Sequence, residues 1–114
     1  MNEFVYLYRR PLNPPGSPQQ MQNMMERWRA WFADVEKKGR LASAGQPLDS
    51  KGGGVVNAKE RLSDGPYAET KDVVMGYTVI RASDLQDAID LAKGHPIFDL
   101  GGAIEVRPVM KFGG

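Results

Sequence analysis

Eight consecutive residues, Asp64-Gly65-Pro66-Tyr67-Ala68-Glu69-Thr70-Lys71, gather two carboxylates, a phenol, a hydroxyl and an ammonium between two apolar stretches. Turn formation explains the first three, because Asp accepts from its own backbone, Gly takes unusual φ and Pro fixes φ at about −65°. The charges that follow exceed what a turn requires. Asp64 reads first as the residue that orders this turn and second as a proton carrier. Glu69 and Lys71 lie two apart, so on an extended segment they share a face and suit pairing with each other or with a partner chain. Tyr67 suits either the wall of a ligand cavity or a subunit contact.

Three more residues carry candidate chemistry. His95 is the single histidine and the side chain whose ordinary pKa lies nearest neutrality, which makes it the default for proton transfer. Its setting between Gly94 and Pro96 favours a structural role at a helix end. Glu105 and Arg107 alternate with Ile104 and Val106, so both charges fall on one face of a strand and the aliphatic pair on the other. Charges on a covered face need partners, either each other within or across subunits, or an anionic ligand for Arg107.

Other chemistries are excluded by composition. The chain has no cysteine and one histidine, which rules out disulfides, thiolate catalysis and a multi-histidine metal site within one chain. Neither a metal nor a cofactor is expected. Fifteen basic and 14 acidic residues leave a net charge of +1, too little to neutralise a run of phosphates, so neither nucleic acid nor a membrane surface is an expected partner. Gly52-Gly53-Gly54 lacks the lysine and the strand-to-helix setting of a phosphate loop and reads as a flexible turn. Met1-Asn2-Glu3 has none of the basic and apolar character of a secretory signal, and a cytoplasmic protein is expected.

With 114 residues there is room for one domain, 1–114, around a single core. Residues 3–9 alternate with apolar side chains in both parities, as in a strand covered on both faces. Pro11 to Pro18 is a loop. Ser17 and Pro18 can open a helix whose stripe is Met21, Met24, Met25, Trp28, Phe32 and Val35, ended by Gly39. Residues 41–47 and 55–61 read as a hairpin around the turn 49–54. Residues 73–80 are the strongest strand and read as central. Ser83 or Asp84 caps a second helix carrying Leu85, Ala88, Ile89 and Ala92, stopped by Gly94 and Pro96, and 103–109 is a last strand that Pro108 assigns to an edge or an end.

This order matches an α+β, ferredoxin-like βαββαβ plan with an extra hairpin and both helices on one sheet face. The other face, apolar in strands 3–9 and 73–80, would be a large exposed patch on a monomer, so a homodimer through the sheet is expected.

The segment Asp64 to Lys71, followed by Gly76-Tyr77, Ala88 to Ala92 and Gly102 to Val109, resembles the YCII-related proteins of the DGPF subgroup across nearly the whole chain. That resemblance implies a dimeric α+β barrel, in which two ferredoxin-like sheets face each other. Some relatives in the wider group resemble lyases or dehydrochlorinases of small chlorinated aromatics that use a His-Asp pair with the histidine on the first helix. The corresponding position here is approximately Trp28, and residues 17–38 contain no histidine. The subgroup's association with genes for alternative sigma factors implies a regulatory context.

Two functions follow as expectations. One is a homodimer that binds a small organic or anionic molecule through Tyr67, Glu69, Lys71, Arg107 and Glu105. The other is a cofactor-independent lyase or isomerase in which His95 or Asp64 moves a proton and Arg107 stabilises negative charge. A purely structural or protein-interaction module is the third reading.

Overall fold

The computed structural model describes residues 1–11, 16–49, 51–58 and 72–112, and the backbone of 61–64. A four-stranded antiparallel sheet in the order β2-β5-β1-β6 is built from β1 (Asn2–Pro11), β2 (Leu41–Ser43), β5 (Asp72–Ala82) and β6 (Ala103–Pro108). A second, two-stranded sheet pairs β3 (Gly54–Val56) with β4 (Arg61–Asp64). Helices α1 (Pro18–Lys37) and α2 (Leu85–Ala92) lie on one face of the larger sheet, and a 3₁₀ helix, Pro96–Leu100, leads from α2 into β6. This is the ferredoxin-like α+β arrangement read from the pattern, with β1 and β5 central and β6, which carries Pro108, at an edge. No helix among the described residues is long and apolar enough to cross a membrane.

The start of α1 follows from three side chains. Ser17 Oγ accepts from the Gln20 N–H, Gln20 Oε1 accepts from the Ser17 N–H, and Pro18 occupies a first-turn position where no donor is needed. Gly39, at φ +70°, ends it. The stripe that reaches the core is Met24, Trp31 and Val35, with Trp28 and Phe32 half-buried beside it. Met25 is exposed instead, and Trp31, six residues further on, is buried. On α2, capped by Asp84, Ala88 and Ala92 are buried while Leu85 stands half out of the surface.

The hairpin is wired differently from the expectation. β2 spans only residues 41–43 and pairs with β5, and Pro47 makes a lone bridge to Gly76. The hairpin partner of β3 is β4. Gly45 explains why 44–47 does not continue as a ladder strand: it sits at φ +72°, and a Cβ there would lie 1.8 Å from the Tyr77 carbonyl oxygen. Only glycine can bring the chain this close to β5.

The alternation of β1 divides the two faces. Phe4, Tyr6 and Tyr8 are buried under the helices with Ile80, Ala82 and Val35, and the Tyr6 hydroxyl donates to the Ala88 carbonyl, which ties α2 to the sheet. Val5, Leu7 and Arg9 point the other way. A bulge interrupts the β1–β5 register, because Tyr8 opposes Gly76 and Arg9 opposes Val74, leaving Met75 unmatched. The molecule is 19 Å across its shortest axis, about the thickness of one sheet and one helix layer. The second sheet face is therefore the outer one.

Candidate functional site

Cross-strand register organises that outer face into rows. Tyr77, Leu7 and Glu105 lie side by side, and Val79, Val5 and Arg107 form the next row. Ile104 and Val106, opposite Tyr8 and Tyr6, face the helices and pack on the core, so the parity read from the sequence for Glu105 and Arg107 holds. The result is an aliphatic strip of Val5, Leu7 and Val79, bordered by the half-exposed Tyr77 on one side and by charges on the β6 side.

The charges form a network in which Arg9 is central. Its Nη2 lies 3.0 Å from Asp72 Oδ1 and its Nη1 3.2 Å from Glu105 Oε1. The hydrogen bond to Asp72 above all, helped by the charges of Asp72 and Glu105, holds the Arg9 guanidinium above its already high range, and partial desolvation is the main opposing effect. Glu105 thus has its ion pair within the chain, as expected, but with Arg9 rather than mainly with Arg107. Arg107 makes one long contact, 4.0 Å from Nη1 to Glu105 Oε2, and its side chain is 67% exposed. Most of its donors meet no acceptor among the described residues. Sequence reasoning passed over Arg9 and Asp72, although Arg9 shares the odd parity of Val5 and Leu7, which was the available signal.

His95 lies elsewhere. It is 2% exposed, on the helix side of the sheet, and caps the 3₁₀ helix by accepting the Ile97 N–H at Nδ1, 3.1 Å away. An accepting Nδ1 leaves the proton of the neutral ring on Nε2. Nε2 has no hydrogen-bond partner among the described residues, and the ring is packed by Trp28, Trp31 and Tyr8, with ring centroids at 4.4, 4.7 and 4.8 Å. Burial drives the His95 pKa down to about 3. The sheet separates this imidazole from Glu105 and Arg107, so the candidate residues fall into two groups.

Of the others, Asp64 ends β4, where its backbone opposes Gly54. Tyr67, Glu69 and Lys71 lie outside the described residues. No group of three or more His, Cys, Asp or Glu among the described residues is arranged to hold a metal ion.

A two-layer α+β domain with a ferredoxin-like sheet, helices on one face and a mixed apolar and ionic outer face is the class this geometry defines. The YCII-related domain model matches residues 1–113, and the chain belongs to that family. Among solved structures it is similar to the 5-chloro-2-hydroxyhydroquinone dehydrochlorinase of Burkholderia phenoliruptrix AC1100, in complex with 2,5-dihydroxybenzoquinone. The two share 19% identity over 99% of this chain and 96% of that one, with a TM-score of 0.49. A search of curated proteins finds no match.

Proposed function

We propose that this chain is a homodimeric small-molecule-binding domain whose ligand sits on the outer sheet face, between that face and the partner's. One observation carries the reading: an aliphatic strip of Val5, Leu7 and Val79 runs directly into an arginine, Arg107, most of whose donors are unclaimed among the described residues. Such a surface suits a ligand with an apolar or aromatic body and one anionic group, which a guanidinium grips through paired donors. Arg9 shares Glu105, which lies 3.2 Å from it and reaches Arg107 only at 4.0 Å, so the carboxylate holds Arg107 loosely. Tyr67, Glu69 and Lys71 complete the ligand contacts in this reading, and a sensor acting in a sigma-factor-linked regulatory setting is the role it fits.

Binding is favoured over proton transfer because His95 is packed among rings and accepts one backbone N–H, with no hydrogen-bond partner for Nε2 among the described residues. The test is a thermal-shift screen with aromatic carboxylates and neutral isosteres of the same size. Carboxylates are expected to raise Tm, since a ligand at 100 times its Kd adds about 2.7 kcal/mol of stability. Arg107→Gln is expected to remove that rise. Equal shifts from the neutral isosteres would sink the reading.

A further inference from the structure

Among the described residues, β6 has no strand on its outer side. We infer that two copies of this chain join β6 to β6 in antiparallel fashion about a two-fold axis through Val106, extending the sheet from four strands to eight.

The backbone supplies the first argument. The Val109 N–H donates to the Glu3 carbonyl, and the ladder with β1 opposes Arg107 to Val5 and Glu105 to Leu7. In an antiparallel ladder the donors alternate sides, so residues 105, 107 and 109 bond inward and residues 104, 106 and 108 point away from β1. The other strands keep the same phase: the Arg81 and Tyr77 N–H groups point to the Arg40 and Gln46 carbonyls, and Ile80 and Thr78 oppose Phe4 and Tyr6. The outward groups of Ile104, Val106 and Pro108 meet no backbone partner among the described residues. A two-fold axis at Val106 matches them: the two Val106 residues exchange both bonds, and each Ile104 N–H reaches the other copy's Pro108 carbonyl. Pro108 has no N–H to lose.

Charge supplies the second, and it selects the register. With Val106 on the axis, Glu105 of one copy stands directly opposite Arg107 of the other, twice, in non-hydrogen-bonded positions where Cα atoms approach to about 4.5 Å. Arg107 is largely exposed and only loosely held by its own Glu105, so it is available for this contact. A shift of two residues in either direction loses both pairs and sets Arg107 opposite Arg107 or Glu105 opposite Glu105. The guanidinium retains further donors for a ligand on the outer face.

Apolar surface supplies the third. On the helix side the same edge borders an open groove of ≈ 380 Å³, lined by Ile104 and Val106 of β6, Leu85, Ile89 and Ala92 of α2, and Phe98, with Lys93 as its one charged lining residue. Leu85 is 48% and Phe98 43% exposed, an uncommon setting for two large apolar groups side by side. The seam brings the second copy's groove against this one and covers both. This contact is separate from the sheet-face contact of the proposed function.

The test uses light scattering on the full chain at tens of micromolar. Glu105→Arg and Arg107→Glu, each alone, place like charges opposite one another and are expected to halve the native mass. Mixed in equal amounts, the two variants restore opposite charges at both positions and are expected to recover it. Val106→Pro removes the central outward donor without touching the β1 ladder, and it too is expected to halve the mass. Full mass in Val106→Pro, or no recovery on mixing folded Glu105→Arg and Arg107→Glu, overturns the inference. Leu7→Glu separates this from the face-to-face contact: a native assembly split by Leu7→Glu and indifferent to the β6 variants would retain the face and eliminate the edge.

Discussion

At Tyr8 the hydroxyl donates to Thr78 Oγ1 over 2.6 Å, the Thr78 hydroxyl donates in turn to the Ala44 carbonyl, and the ring lies against His95. Burial pushes the Tyr8 phenol well above its usual range, and the bond to Thr78 opposes that rise. These groups behave as neutral core polar atoms with fixed partners, and His95 makes the energetics measurable. Its folded pKa is about 3 against 6.5 for the unfolded chain. Between those values the unfolded chain binds the proton and the folded one does not, so the contribution is intact above pH 6.5 and is lost as pH falls toward 3. Over pH 7 to 5 that loss is about 2 kcal/mol. Urea unfolding of wild type and His95→Phe is expected to show the gap between them shrinking by that amount across the interval; a constant gap would mean that the imidazole is solvated. The parity of Glu105 and Arg107 was legible because alternation along a strand is a local rule. The Arg9 network was not, since Asp72 and Glu105 are brought to Arg9 by strand pairing, which no short window of sequence contains.

Elements with local signals were read to within a residue or two. Ser17, Pro18 and Gly39 bracket α1 because capping is a matter of three or four neighbouring residues. Ser17→Ala is expected to cost about 1 kcal/mol, measured as a lower urea midpoint at unchanged slope. The identity of the buried stripe was less accessible: Met25 and Trp31 both fit a helical repeat, and packing against Tyr6, at 6.1 Å between ring centroids, decides for Trp31. The hairpin was misread because β2 and β3 are three residues each, too short for alternation to identify their partners. The discriminating feature is Gly45, pressed against β5. Gly45→Ala is expected to destabilise the fold by several kcal/mol, since both the positive φ and the contact with Tyr77 backbone forbid a Cβ. A variant with native Tm would mean that the strap 44–47 moves away freely.

At the scale of the molecule, a sheet with helices on one side and an aliphatic strip on the other is two layers, and the proposed face-to-face pairing would make four. The helix-covered half was legible from composition and periodicity, and the outer face from the two-parity strands; the ligand contacts assigned to Tyr67, Glu69 and Lys71 lie outside the described residues. Placing a carboxylate in the strip addresses the whole-molecule reading. Leu7→Glu is expected to leave the circular dichroism unchanged and to dissociate the sheet-face dimer at micromolar concentration, because an unpaired charge would be desolvated there. An assembly of native mass in that variant would show that the face is open in solution.

The unmatched Met75 has a further consequence. Counting strictly by twos down β5 from Val79 would send Asp72 to the helix side, where its carboxylate would be shut in with aromatic rings and far from Arg9. One additional peptide unit inverts the count for the first three residues of the strand, exchanging Val73 inward and Asp72 outward. A single insertion thus lets one continuous strand supply grease to both layers and still deliver an acid to the side that can use it.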